Sequence, residues 1–144
     1  MATEFKDKIV AGFKEDVTFV INGISFTYEA TLDTGNGASA STLGCELVEE
    51  REDGTIRAII HGREFIFPKF GESYPKVGQV KEKRLTVLIE TVRACGRELN
   101  KIPFALVDNR NKSTNVLLNR EFLSAMGVVV DPARKFIYNS ESST

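Results

Sequence analysis

The residues with the clearest chemical potential are Asp33, Thr34 and Gly35. They follow a run of strand-forming residues at 26–32 and open into small and polar residues at 36–41. An acidic residue at a strand end, followed by a hydroxyl and by a residue without Cβ, suits a carboxylate that is exposed in a cleft. Taken alone, such a triplet is typical of an ordinary turn. The tripeptide therefore predicts a catalytic carboxylate only where a second segment supports it.

Other sets of reactive side chains are sparse. His61 is the only histidine, and Cys45 and Cys95 are isolated, so the sequence has no zinc-ligand spacing such as H-E-x-x-H. The hydroxyls at residues 39–42, which we expect in a loop, have only this one distant histidine as a possible base, which disfavours a serine-type triad. We therefore expect no metal and no cofactor, and we expect the cysteines to be small packing residues.

Size and charge restrict the class of protein. The chain has 144 residues with a net charge of −1, which indicates one domain and no electrostatic footprint for nucleic acid. No apolar run approaches the roughly 18–20 residues that a membrane span needs. The first residues lack the pattern of a signal peptide, and two cysteines are too few for a disulfide scaffold. We expect a cytoplasmic protein with no membrane partner.

Strands are predicted to position Asp33. The dipeptide Asn22-Gly23 lies between two runs of β-branched and aromatic residues, which predicts a hairpin whose second strand delivers Asp33. A short apolar strand is predicted at 115–118, followed by a helix at 120–126 that ends at a glycine. Many short strands with regular turns and one short helix near the end are typical of an all-β, barrel-like domain.

The domain boundaries follow from the same pattern. Residues 1–15 form an N-terminal segment without a clear preference, and residues 16–138 form the domain. Residues 128–130 and 136–138 predict a final hairpin. Residues 139–144 are polar and predict a disordered tail.

The second segment is at residues 115–127, where an apolar strand runs through Leu118 to Arg120 and into the helix. Together with Asp33-Thr34-Gly35, it resembles the retropepsin-like aspartic proteases, in which the two segments occur in this order and pack together. The resemblance implies a retropepsin-like acid-protease closed barrel with Asp33 as the catalytic residue. It implies that Thr34 hydrogen-bonds across a dimer and that Gly35 lets the backbone approach substrate. It also implies that Leu118 and Arg120 support the site structurally.

A closer resemblance is to the branch called "ATP-dependent zinc proteases", encoded in many bacteria beside ATP-grasp glutamate ligases. The matching stretches are residues 38–40, 65–68, 104–110, 117–120 and 130–132, so the resemblance covers roughly residues 27–138. The zinc in that name finds no support in the residues of this chain.

Two residues depart from the family pattern. Asn119 stands where the family has a glycine before the arginine, and Asn36 replaces the usual small apolar residue after Asp-Thr-Gly. Asparagine is the non-glycine residue that best tolerates a left-handed backbone, so we expect the loop at Asn119 to keep its shape. Neither change affects the carboxylate of Asp33.

A single Asp-Thr-Gly has a consequence for assembly. An aspartic peptidase needs two carboxylates close enough to share a proton and a water, and such a pair titrates as a unit. Because this chain supplies one, a catalytic form must be a homodimer with one Asp33 from each subunit on a two-fold axis. The predicted partners are therefore a second copy of the chain and a peptide or protein substrate, cleaved at a peptide or isopeptide bond.

Other interpretations stay open. Asn36 and Asn119 also fit a catalytically silent retropepsin-like module that dimerises or binds peptides. A phage or bacterial structural β-domain, with an ordinary turn at Asp33, is a third possibility. Two segments could cover a cleft in the catalytic case: the hairpin at 59–64 and the loop at 69–78, of which the loop is favoured because it is long, aromatic and turn-rich.

Overall fold

The structure is a computed structural model that describes residue 5, residues 7–109 and residues 115–138. Its one described helix, α1, is Arg120–Met126. The described strands are β1 Ile9–Gly12, β2 Lys14–Ile21, β3 Ile24–Leu32, β4 Ser41–Cys45, β5 Leu47–Glu50, β6 Thr55–Ile60, β7 Arg63–Pro68, β8 Gly71–Ser73, β9 Lys76–Val77, β10 Val80–Lys81, β11 Arg84–Ala94, β12 Arg97–Asp108, β13 Val116–Leu118 and β14 Val128–Asp131.

Six strands close into a barrel in the order β12, β4, β13, β3, β2 and β11, because β11 also pairs with β12. Strand β8 pairs with Arg84–Thr86 of β11, on the edge that β2 occupies further along the strand, and β5, β6 and β7 form a separate three-stranded sheet. Closure leaves the ring without the free edges of an open sheet. The sequence-based prediction of an all-β closed barrel with one short helix is confirmed.

Side chains of every second residue along the strands face inward and fill the barrel interior. Strand β2 alternates strictly between buried and half-buried positions, as its period of two requires. Phe104 meets Phe19 edge to face at 5.3 Å between ring centroids, and it meets Phe122 of α1 at 6.0 Å. These contacts fix the helix against the barrel wall that carries β12.

Tight two-residue turns join the main hairpins. Asn22-Gly23, His61-Gly62 and Cys95-Gly96 all have positive φ at both positions, which is the geometry that best matches the twist of the flanking strands. The hairpin predicted at Asn22-Gly23 is confirmed. Its second strand, β3, ends at Leu32, directly before Asp33.

The predicted final hairpin between residues 128–130 and 136–138 is wrong. Strand β14 instead pairs in parallel with β1, and residues 136–138 form no strand. Local sequence favoured the hairpin because the two apolar runs are close together, whereas the actual partner of β14 comes from the other end of the chain. The boundary expected at residue 16 falls inside β2, and residues 139–144 lie outside the described part.

A buried carboxylate ties the two ends of the described chain together. Glu15 occupies an inward position of β2 and is fully buried. Its oxygens accept hydrogen bonds from the backbone N–H groups of Gly12 at 2.7 Å, Ile137 at 3.0 Å and Tyr138 at 2.8 Å. A charged acceptor with several backbone donors is the arrangement that makes a buried carboxylate tolerable. Glu15 therefore holds the C-terminal segment against the corner between β1 and β2.

Replacing Glu15 with Gln should lower the free energy of unfolding by about 2 kcal/mol, because the new NH₂ group faces backbone N–H donors and leaves at least one of them unsatisfied. Chemical denaturation measures this. Glu29→Gln is the matched control, since Glu29 is exposed and pairs with Lys14 at 3.5 Å, and we expect it to change stability by less than about 0.5 kcal/mol. Equal effects in the two variants would contradict the assigned role of Glu15.

Candidate functional site

Asp33 is held in place by the strand that runs beside β3. Strand β13 pairs in parallel with the end of β3, with Leu118 opposite Leu32. The pairing continues one residue further, since the backbone N–H of Asp33 donates to the carbonyl of Leu118 at 2.9 Å. Leu118 is 1% exposed, so this support lies in the core. The two segments singled out in the sequence therefore meet, with Leu118 directly behind Asp33.

The loop turns sharply after Asp33. The carboxylate oxygen Oδ1 accepts from the N–H of Gly35 at 3.3 Å, and the carbonyl of Asp33 accepts from the N–H of Asn36 at 3.1 Å. Asp33 is half-buried, whereas Thr34 and Gly35 are exposed. Within the described part of the chain, the Thr34 hydroxyl makes no hydrogen bond. The arrangement presents a carboxylate at the surface with most of its acceptor capacity unused.

Gly35 is not required by the turn itself. Its φ is not in the left-handed region, and a Cβ built on it would meet only Oδ1 of Asp33, at an ordinary contact distance of 3.7 Å. A side chain at position 35 would therefore fit within this single chain. If glycine matters there, the reason lies with a molecule that approaches the loop from outside.

Asn36 shapes the next turn. Its side-chain Oδ1 accepts from the N–H of Ala38 at 3.0 Å, and its carbonyl accepts from the N–H of Arg120 at 2.9 Å. The first bond is an Asx turn, for which asparagine is well suited. The residue that departs from the family pattern is therefore an integral part of the loop that leads away from Asp33.

Asn119 is the buried centre of the site's support. It is 2% exposed, and its Oδ1 caps α1 by accepting from the N–H of Phe122 at 2.9 Å. Its Nδ2 donates to the carbonyl of Ala38 at 2.8 Å, and the hydroxyl of Ser41 both donates to Oδ1 at 3.0 Å and accepts from the Asn119 N–H at 2.9 Å. One side chain thus joins the helix, the Asp33 loop and β4.

Tolerance of a left-handed backbone is not the reason for asparagine at position 119. Its φ is −83° and its ψ is 175°, which is extended backbone that any residue adopts. The reason for asparagine is its side chain, which is among the best N-caps. Ser41 was also missed as a support residue, because residues 39–42 were interpreted as a loop, whereas Ser41–Cys45 is the barrel strand β4.

Arg120 begins the helix and packs over the loop. A Cβ built on Gly37 would lie 2.6 Å from Nη2 of Arg120, so the guanidinium occupies the space beside this glycine. The side chain of Arg120 is otherwise exposed. It contacts the loop after Asp33, but it does not share a hydrogen bond with the carboxylate in the described structure. The helix is confirmed at Arg120–Met126, with Gly127 in the left-handed conformation at its end.

The remaining reactive side chains lie apart from Asp33. Burial raises the pKa of both cysteine thiols to about 12, which keeps them neutral and poorly nucleophilic near pH 7. His61 lies in a turn, where it stacks on Phe26 at 5.7 Å and meets Tyr28 edge to face at 5.2 Å between ring centroids. Among the described residues, no group of three or more His, Cys, Asp or Glu side chains is arranged to hold a metal ion, so the structure offers no donor set for zinc.

The two segments expected to cover a cleft, the hairpin at 59–64 and the loop at 69–78, differ in their surroundings. The hairpin at 59–64 is tied down, because His61 stacks on β3 and Gly62 donates to Glu46 at 3.0 Å. The other segment reaches the Asp33 loop. Tyr74 and Pro75 form one wall of a cleft of about 290 Å³, whose lining residues are Ala38, Ser39, Ala40, Ser73, Tyr74, Pro75, Arg84 and Ala105.

Comparison with known proteins adds a fold likeness. No protein-family model matches this chain, and no curated protein matches it. A solved structure from Legionella pneumophila subsp. pneumophila str. Philadelphia 1, described as a protein with unknown function (DUF785), has a TM-score of 0.67 and 22% sequence identity to this chain. The match covers 89% of this chain and 96% of that one. At this identity the likeness shows a shared fold and nothing about activity.

In the part of the chain that the structure describes, no helix has the length and apolar composition needed to cross a bilayer.

Proposed function

We propose that this protein is a retropepsin-like aspartic peptidase that acts as a homodimer, with one Asp33 carboxylate from each subunit. The observation that supports this best is that two segments far apart in the sequence meet at Asp33. The N–H of Asp33 donates to Leu118, and the N–H of Arg120 donates to Asn36, so the carboxylate loop is fastened on both sides by the strand–helix junction. An ordinary surface turn needs no such fastening.

The chemistry follows from two carboxylates near a two-fold axis. One, ionised, takes a proton from a water as its oxygen attacks the carbonyl carbon of a peptide bond, and the other, protonated, donates to the carbonyl oxygen. A second proton transfer to the nitrogen then breaks the C–N bond. Two close carboxylates suit this sequence because they cannot both ionise easily, so the pair retains one proton.

The exposed positions of Thr34 and Gly35 support a two-fold contact at this loop. Both residues face outward next to the carboxylate, and the Thr34 hydroxyl has capacity for a hydrogen bond to another chain. Gly35 has no steric need within its own chain, which fits a close approach by substrate or by the partner loop. The assembly would place the two Asp33 side chains at its centre.

Two measurements on the purified protein test the proposal. Sedimentation should reveal a dimer, and a library of unstructured peptides, assayed from acidic to neutral pH, should contain sequences that the protein cleaves. A dimer that cleaves nothing would favour the silent, peptide-binding module. A monomer without activity would favour a structural β-domain in which Asp33 is a turn residue.

The substrate and the location in the cell belong to the same proposal. Peptide or isopeptide bonds in a protein partner are the expected substrates, and a cytoplasmic location stays a prediction from the sequence. Because no three His, Cys, Asp or Glu side chains of the described residues lie together as a metal site, we assign no role to zinc.

A further inference from the structure

Glu50, at the end of β5, binds both ends of one segment of the chain. Its Oε2 lies 2.8 Å from Nζ of Lys69, and its Oε1 lies 2.8 Å from Nζ of Lys83. Lys69 begins the connection from β7 towards β11, and Lys83 ends it. One carboxylate on a separate sheet therefore joins the two points at which this connection leaves and rejoins the body of the protein.

A second carboxylate completes the cluster. Glu72 pairs with Lys69, lies 3.9 Å from Lys83 and accepts a hydrogen bond from the hydroxyl of Tyr74. The two lysines lower the pKa of Glu50 to about 2, and Lys69 together with Tyr74 lowers the pKa of Glu72. We name Glu50, Lys69, Glu72 and Lys83 the ionic clamp. Its carboxylates stay ionised at any pH near neutrality.

The clamp sits at the base of a small hairpin, residues 74–82. Among the described strands, β9 and β10 pair only with each other, and the N–H of Glu82 donates to the carbonyl of Pro75 at 2.9 Å to close the base. An isolated two-stranded hairpin is marginally stable in water. Val80, the first residue of β10, is 67% exposed and Tyr74 is 53% exposed, so these side chains hold the hairpin with little apolar burial. The contacts at the base of the hairpin are therefore the ones that can orient it.

The base of this hairpin is also the wall of the cleft beside the Asp33 loop. Tyr74, whose hydroxyl binds Glu72, and the adjacent Pro75 face Ala38 and Ala40 across that cleft. The clamp therefore contacts the wall of the cleft directly, through the Tyr74 hydroxyl. Isolated surface ion pairs contribute little, but here several charges form one network around a single carboxylate.

We propose that Glu50 is a positioning residue that sets the hairpin at 74–82 over the cleft beside Asp33. It acts through Lys69 and Lys83 rather than on a substrate. The effect on cleavage rests on the proposed peptidase function, whereas the effect on the hairpin does not. Because the clamp is exposed, rising ionic strength weakens it and loosens the hairpin.

Amide hydrogen exchange tests the structural half directly. In Glu50→Gln, exchange at the Glu82 amide and across residues 74–82 should be about five-fold faster than in the natural protein at low salt, as expected for a small network of surface charges. Raising the salt from about 0.05 M to about 0.5 M should speed exchange in the natural protein more than in the variant, which keeps only the pairs made by Glu72. Glu64→Gln is the matched control, since it breaks the Arg57 pair of 2.5 Å on β6 and β7 without touching the clamp.

Unchanged exchange in Glu50→Gln, or an equal change in Glu64→Gln, would overturn the proposal. The effect of the clamp on cleavage is tested by measuring KM and kcat separately. KM for a cleaved peptide should rise about five-fold in Glu50→Gln with kcat little changed, and Glu50→Asp should recover part of the loss. Faster exchange with an unchanged KM would overturn the positioning role. Faster exchange in a protein that cleaves no peptide would uphold the clamp and reject the peptidase function instead.

Discussion

Replacing Asp33 with Asn should lower the rate of peptide cleavage by about a thousandfold, because the pair then lacks the carboxylate that takes the proton from water. The fold should be unaffected. The amide oxygen of Asn can still accept the 3.3 Å hydrogen bond from Gly35, and the backbone bond to Leu118 is untouched. Cleavage of a peptide substrate, measured with thermal unfolding and sedimentation, separates lost chemistry from lost structure.

Asp53→Asn is the matched control for this experiment. Asp53 is also a turn aspartate that accepts from the backbone N–H two residues ahead, in this case Thr55 at 3.0 Å, but it lies in the turn between β5 and β6. Its replacement should leave cleavage unchanged. Full activity in Asp33→Asn would contradict the assignment of Asp33 as catalytic, and equal losses in the two variants would point to a general effect of the substitution.

Replacing Asn119 with Ala should lower the free energy of unfolding by about 3 kcal/mol. The N-cap of α1 contributes about 1 kcal/mol, and the partners that lose the Asn119 side chain, the buried Ser41 hydroxyl and the partly buried Ala38 carbonyl, add the rest. Activity should also fall in whatever fraction stays folded, because the loop from Asp33 to Ala38 loses its attachment to the helix. Denaturant unfolding gives the stability, and cleavage below the transition gives the activity.

A double-mutant cycle tests the network around Asn119 more directly than the single variant does. Because the Ser41 hydroxyl donates to the Asn119 side chain, the effects of the two variants should not add: a double-mutant cycle with Ser41→Ala should return a coupling of about 1 kcal/mol. Additive effects would mean that the two side chains act independently. A loss below about 0.5 kcal/mol in Asn119→Ala alone would contradict its role as the centre of the support.

The parts of the fold that the sequence predicted depend on neighbours along the chain. Asn22-Gly23 specifies its hairpin through the turn alone, and Gly127 ends α1 by adopting a left-handed backbone. Asp33 was identifiable because a strand leads straight into it. In each case the information lies within a few residues, which is the range over which turn and cap preferences act.

The parts that the sequence missed depend on distant partners. The neighbours of Ser41 in the sequence indicate a loop hydroxyl, because the residue that it binds, Asn119, is 78 residues away. The sequence predicts a local partner for β14, because nothing at residues 128–131 indicates pairing with β1 at the opposite end of the chain. In the sequence, nothing distinguishes Glu15 from an ordinary charged residue. Its role follows from its three backbone donors in the structure.

The two asparagines that favoured a silent module have a structural explanation. Asn36 forms the turn that leads from the Asp33 loop, and Asn119 caps the helix and holds that turn. Neither side chain donates to or accepts from the Asp33 carboxylate in the described hydrogen bonds. Their presence therefore fits a loop stabilised by side-chain hydrogen bonds, and it does not by itself argue against catalysis.

Subunit mixing tests the central claim most directly, namely that one active site is built from the Asp33 of two chains. Natural protein and Asp33→Asn protein are mixed in varied ratios, allowed to exchange subunits, and assayed at constant total concentration. If both carboxylates are needed, activity should follow the square of the natural fraction, so an equal mixture retains about a quarter of the full rate. A linear fall, with about half of the rate in the equal mixture, would mean that each chain works alone and would contradict the shared site.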